Sequence, residues 1–274
     1  MLELEHRFRV VDVHARLDPA EDVSERGRAI SPERLEREMH QAGVVRSVVF
    51  PGQRPGTDYL KYNNAVARLS VDRPFIAFAR ISGALDPGES PASKLRNLAA
   101  RRGDDHVSPG DIEQYAYDDR FYGFRLDPAR DGLPDEAVLD ELEAVGLPLL
   151  VDAGEGFPPS ALDATLLQYD VPVIASRFGG HPSNRELMDS AIDLLDRHED
   201  FYLDTSFVRY RELLERALLE HPDRVLFGSG APNVHPNVGV MELLTLDLSE
   251  DKMRKAFSRN PSRVVPALGS DGER

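Results

Sequence analysis

Seven side chains stand out by chemical type and by where they fall along the chain. His14 and Asp152 each end a short β-branched run, Val10-Val11-Asp12-Val13 and Leu149-Leu150-Val151. An imidazole beside a carboxylate can hold or move a proton. Arg16, Arg125 and Arg177 fall at the ends of similar runs, and their guanidiniums, which keep their charge, suit a carboxylate or phosphate through planar paired donors. His181 and His235 lie near the same segments, each directly before a proline. The sequence therefore offers His14 and Asp152 as catalytic candidates, and Arg16, Arg125, Arg177, His181 and His235 as ligand-binding candidates. Each has a plainer alternative. His14 could be a hydrogen-bonded structural residue, Asp152 could be neutralised by Arg16 or Arg177, and the two later histidines could be ordinary surface.

Other chemistries are excluded by what is missing. With no cysteine among 274 residues, disulfides, thiolate nucleophiles, iron–sulfur clusters and cysteine-ligated zinc are ruled out. Any metal would need His, Asp, Glu or a modified Lys. There is no Gly-x-Ser-x-Gly elbow, phosphate-binding loop or dinucleotide fingerprint. A net charge of −15 argues against nucleic acid as a partner. No apolar stretch approaches the roughly 18 residues needed to cross a bilayer, so no membrane partner is expected. The opening Met1-Leu2-Glu3-Leu4-Glu5-His6 is acidic where a signal peptide is basic, which predicts a cytoplasmic location.

The elements that must position these residues can be read from pattern. Runs rich in β-branched and aromatic residues span Phe8 to His14, Val44 to Phe50, Phe75 to Ile81, Tyr122 to Leu126, Pro148 to Asp152, Val171 to Ser176, Phe201 to Thr205 and Arg224 to Gly228. Amphipathic stretches alternate with them, so eight strand–helix units predict a single α/β (β/α)8 TIM barrel over residues 1–268. Ser31-Pro32-Glu33 opens the first helix, Gly43 follows its end, and Glu250 to Phe257 predicts an extra C-terminal helix. The interval from the third to the fourth strand is long for a crossover. Ala92 to Arg102 reads as helix, and Gly103 to Arg120, with Tyr115 and Tyr117, reads as a solvated loop or an interface. The tail, 269–274, reads as flexible.

The strand ends and their order resemble the amidohydrolase superfamily, in the branch of metal-dependent hydrolases, lactonases and aromatic-acid decarboxylases. Val11-Asp12-Val13-His14, Gly123-Phe124-Arg125-Leu126, Arg177-Phe178-Gly179-Gly180, Phe201-Tyr202-Leu203-Asp204-Thr205-Ser206 and Asn260-Pro261 carry the likeness, which extends over nearly the whole chain. The resemblance implies a divalent metal held by paired first-strand histidines, further histidines from the fifth and sixth strands and an Asp from the eighth. Here only His14 matches. Arg16, Asp152, Arg177 (or Ser176) and Gly230 occupy the other positions, and neither guanidinium nor glycine offers a lone pair. The expectation is therefore no metal and no cofactor, with a divalent metal as the alternative. Functionally this implies a non-catalytic or auxiliary subunit that binds a small anion and pairs with itself or with an intact homologue. The alternative is an active metal-independent hydrolase, lactonase or decarboxylase acting on a small carboxylate-bearing substrate.

Overall fold

The structure, a computed structural model, describes residues 7–18, 30–53, 58–88 and 90–269. Eight parallel strands follow in sequence order around one sheet: β1 (Val10–Arg16), β2 (Val44–Phe50), β3 (Phe75–Arg80), β4 (Phe121–Leu126), β5 (Leu149–Gly154), β6 (Val173–His181), β7 (Phe201–Asp204) and β8 (Val225–Leu226). The ring closes where the Val13 N–H donates to the Phe227 carbonyl, the Gly230 N–H to that of His14 and the Arg16 N–H to that of Ala231. The chain thus forms the (β/α)8 barrel that its strand count predicts.

Alternation along each strand fills this barrel and then changes its chemistry. Val11, Val13, Val48, Ile76, Phe78, Leu150, Ile174, Tyr202 and Leu226 form an inner apolar plug, closed below by Val264, Val265 and Leu268. Two positions further along, the side chains that follow Phe78, Leu150, Ile174 and Tyr202 on the same face are Arg80, Asp152, Ser176 and Asp204. A polar ring therefore sits on an apolar floor at the C-terminal end of the strands. On β1 a bulge intervenes: the strand advances three residues from Asp12 to Ala15 while β2 advances two, from Ser47 to Val49. The extra residue lets Val13 join the plug while His14 turns into the cavity above it.

Asp12 fastens the closure. Its fully buried carboxylate accepts from the His14 and Ser229 N–H groups (2.9 and 2.8 Å), from Ser229 Oγ (2.6 Å) and from Ser47 Oγ (3.2 Å). Burial pushes this carboxyl up to about 6, against the pull of those donors. Asp12→Ala should lower the unfolding free energy by about 3 kcal/mol in a urea titration, because two buried backbone donors lose their acceptor. A change below about 1 kcal/mol would show that this link does not secure the barrel.

The long interval between β3 and β4 differs from expectation. It holds two helices, Pro91–Ala99 and Pro109–Tyr117, and the second starts with a capping box in which Ser108 and Asp111 bond reciprocally. Ile112 and Tyr115 are buried on its inner face; the Tyr115 hydroxyl meets Asn63 Nδ2 at 3.0 Å and its ring packs edge-on against Phe121. Of the two tyrosines in the expected loop or interface, Tyr115 is thus core and Tyr117 is exposed. After Glu250–Arg254 the C-terminal helix continues through a wider turn, Lys255–Arg259, to Asn260–Val264, where Asn260 Nδ2 donates to the Pro222 and Val225 carbonyls. Of the expected flexible tail, residues 270–274 lie outside the described residues. The Gly269 carbonyl accepts from Arg9.

Candidate active site

The polar ring divides into three groups, each built from neighbouring strand ends. In the first, His14 Nδ1 meets Asp204 Oδ2 at 2.7 Å, while Asp204 Oδ1 accepts from Ser206 Oγ (2.5 Å), the Ser206 N–H and the Arg177 N–H (both 2.9 Å). Burial opposes the charge on Asp204, yet the attraction of His14 and the bonds from His14 and Ser206 hold the carboxyl below its usual range. The ionised carboxylate orients the imidazole through Nδ1 and leaves Nε2 without a partner among the described residues. Arg177 and Phe178 both have φ near +55°, a conformation that non-glycine residues rarely adopt. Here it lets the Arg177 backbone reach Asp204 while its side chain turns to the cavity.

Asp152 anchors the second group. It pairs with Arg125 Nη2 through a short contact, accepts from Ser176 Oγ at 2.5 Å and lies 3.5 Å from Arg177 Nε. Burial would raise this carboxyl, but Arg125 and then Arg177 outweigh it and hold the group well below the ordinary carboxylate range. Arg125 also donates to the Leu126 and Leu150 carbonyls and lies over the Phe50 ring, 4.9 Å from its centroid. Arg177 Nη1 meets His181 Nδ1 at 2.5 Å. Because a guanidinium only donates, His181 must accept at Nδ1, which leaves its proton on Nε2. Two guanidiniums thus share one carboxylate, and the buried Nε atoms of Arg125 and Arg177 make no hydrogen bond among the described residues.

The third group stands behind the first two. Arg80 Nε donates to Asp131 Oδ2 (2.9 Å), and Tyr59 donates its hydroxyl to Asp131 Oδ1 (2.8 Å). Asp127 lies 3.9 Å from Arg80 and 3.8 Å from Arg130. Burial first, and then the negative charge of Asp152, push its carboxyl up to about 6.

These groups line one cavity of about 320 Å³ at the barrel mouth, floored by Phe50 and walled by Phe157. Of the residues singled out from sequence, His14, Arg16, Arg125, Asp152, Arg177 and His181 all line it. His235 does not. Its Nδ1 caps the helix Pro236–Leu244 by accepting from the Asn237 N–H, and its Nε2 meets Gln41. Asp152 pairs with Arg125 and Arg177, whereas Arg16 turns to Asp18 at 3.1 Å. The residue pattern does not single out Asp204, Asp127 or Arg80, although Arg80 and Asp204 end β3 and β7 and Asp127 directly follows β4. The cavity wall carries five arginines (Arg16, Arg80, Arg125, Arg130, Arg177) against Asp127, Asp152 and Glu155. Its inner surface is therefore positive within a strongly acidic chain, which concentrates small anions there.

The sequence matches the amidohydrolase family model, Amidohydro_2, over residues 11–267. The chain belongs to the amidohydrolase family. No curated protein matches it. Among solved structures, this amidohydrolase resembles an uncharacterised TIM-barrel protein from Bordetella bronchiseptica (19% identity, 96% of this chain and 100% of that one, TM-score 0.69). It also resembles 2,6-dihydroxybenzoate decarboxylase from Rhizobium (14% identity, 96% and 100%, TM-score 0.67). A third is a dihydroxybenzoic acid decarboxylase from Polaromonas, with bound manganese and the inhibitor 2-nitroresorcinol (15% identity, 97% and 99%, TM-score 0.66).

The manganese corrects the expectation that no cofactor is involved: it is bound in the Polaromonas decarboxylase and in a 5-carboxyvanillate decarboxylase from Novosphingobium aromaticivorans, both of this fold, which points to a divalent metal. The physical reason is that loss of one strand-end pattern says nothing of donors drawn from elsewhere in a barrel mouth. Among the described residues no three His, Asp or Glu side chains converge as a metal site would require. The candidates are also engaged otherwise, His14 with Asp204 and Asp152 with two guanidiniums whose charge opposes a dication. In this arrangement the residues do not fit a divalent metal.

Proposed function

We propose that this amidohydrolase is an active enzyme that takes a small carboxylate-bearing substrate into the arginine-lined cavity, with decarboxylation the favoured reaction and hydrolysis of an amide or lactone the alternative. One observation carries this reading: Arg125 and Arg177, both lining the cavity, share the single carboxylate of Asp152. Guanidinium capacity therefore remains for a second carboxylate, that of a ligand. The decarboxylases among similar barrels support the choice of reaction. A non-catalytic auxiliary subunit gains no support from them. Decarboxylation breaks a C–C bond, releases CO2 and leaves the electron pair on carbon, which must then receive a proton. His14 Nε2, oriented through Asp204, and the Asp127 carboxyl are the cavity groups that can hold that proton. Phe50 and Phe157 supply apolar contact for the rest of the substrate. No helix among the described residues is long and apolar enough to cross a membrane.

The test is a panel of hydroxylated benzoates, amides and lactones, incubated with the purified protein with and without added manganese. Substrate loss and CO2 release are followed. Consumption of at least one carboxylate is expected, falling at least about 100-fold for Arg177→Ala, a loss of about 2.7 kcal/mol in transition-state stabilisation. If no carboxylate is bound or consumed at millimolar levels in either arm, the reading fails.

A further inference from the structure

A second cavity, of about 560 Å³, adjoins the first. It is bounded by Tyr59, the backbone from Ser82 to Gly88, Asp105, His106 and Asp131. The two cavities share three residues, Ala129, Arg130 and Gly156, as a common rim. Two of the three carry no side chain beyond a methyl group and pack tightly together: a Cβ on Gly156 would stand 2.6 Å from the Ala129 Cβ, closer than such atoms ever approach. The third is Arg130, and its guanidinium lies about half exposed beside Gln53, where Nη1 meets Oε1 at 2.5 Å. The cavities also differ in polarity. The first is dominated by arginines, whereas the second offers Asp86, Asp105 and Asp131 against Arg130 alone. Asp131 is held by Arg80 and Tyr59, and Asp86 by Arg96 and the Gly88 N–H. Asp105 has no such anchor: its carboxylate is 47% exposed and lies 3.9 Å from His106 Nδ1, a nitrogen that already accepts from the Gly103 N–H.

We propose that the two cavities form one bipartite site, in which a ligand fixed by its carboxylate at Arg125 and Arg177 crosses the Ala129–Gly156 rim and places a hydrogen-bond-donating, cationic tail in the second cavity beside Asp105. The substrate class is then an elongated amino- or guanidino-bearing carboxylate rather than a single compact ring. A cavity of 320 Å³ is at the small end for ligand sites, while its neighbour is large enough for a chain of several atoms. Opposite polarity at the two ends would select the ligand's direction as well as its length. This inference rests on the proposed function, because it takes the carboxylate end of the site from it.

Isothermal titration of the full chain with three probes tests it: benzoate, 4-pentylbenzoate and 4-(4-aminobutyl)benzoate, the last two equal in chain length. The aminobutyl compound should bind about tenfold tighter than either of the others. Ala84→Phe, at a residue that lines the second cavity and not the first, should erase that advantage and leave benzoate affinity unchanged. Asp105→Asn, an exposed substitution without folding risk, should reduce the advantage over 4-pentylbenzoate by itself. Equal affinity of all three probes for the unaltered protein would overturn the bipartite site while leaving the carboxylate site intact. An advantage that survives both variants would overturn it as well, and failure of all three probes to bind would remove both readings.

Discussion

Arg125→Ala is expected to destabilise the barrel by about 3 to 5 kcal/mol, read as a fall in the urea midpoint at unchanged slope. Arg125 is 2% exposed and combines three roles: it neutralises Asp152, donates to two strand carbonyls and covers Phe50. Its loss would leave Asp152, itself held ionised, with only the more distant Arg177 and Ser176 for compensation. Arg177→Ala should behave otherwise. Its side chain is 19% exposed, and Asp152 would keep both Arg125 and Ser176, so about 1 kcal/mol or less of stability should be lost. What it should lose is carboxylate binding. The contrast decides what the arginines are for: if both variants unfold alike and neither changes ligand affinity, the three residues are a closed ion-pair network that merely fills the barrel mouth.

The barrel was legible because its signal is repeated. Eight β-branched runs in register with eight helices cannot easily be arranged otherwise, and each observed strand overlaps its expected run. The boundaries strayed where local geometry departs from a plain strand. β1 was expected to end at His14 but runs on to Arg16, because a bulge after Asp12 continues the pairing. β6 continues to His181 through three successive residues with positive φ, of which Arg177 and Phe178 are not glycine and would be predicted by no propensity. The helix Pro109–Tyr117 was overlooked although Ser108 and Asp111 carry its capping signature, since a polar surface hides a short helix whose buried side chains are only Ile112 and Tyr115. The cavity was half legible. Knowing that catalytic groups gather at the C-terminal ends of barrel strands was enough to bring six of the seven named residues together. Asp152 with Arg177 was among the expected pairs, but the pairing of His14 with Asp204 was not readable, because the two are 190 residues apart and nothing in sequence says which carboxylate meets which base. His235 fell outside the site because its ring caps a helix, a role that a His-Pro dipeptide before a helix could have suggested.

Affinity for a small carboxylate should fall as pH rises through about 6, by up to about tenfold per pH unit, and level off above neutrality. The group responsible is Asp127, whose carboxyl is pushed up to about 6 by burial and then by Asp152, with Asp131 adding to the rise and Arg125 and Arg80 opposing it. The sign follows from the charge. Below about pH 6 the carboxyl is protonated and neutral, so the five cavity arginines face fewer carboxylates and the ligand anion meets the full positive field. Above that value Asp127 carries a negative charge into the same cavity and repels the ligand. By reciprocity a bound carboxylate must raise the Asp127 pKa further, so ligand binding near pH 6.5 should take up a proton, which calorimetry in buffers of different ionisation enthalpy would detect. His14 and His181 also face the cavity. Asp127→Asn separates them: a permanently neutral side chain there should flatten the profile near the low-pH affinity of the unaltered protein. A profile that keeps its full slope in that variant would assign the effect to the histidines. For a decarboxylase the consequence is direct, because a carboxyl that gains its proton as the substrate carboxylate arrives holds that proton in the cavity from which CO2 must leave.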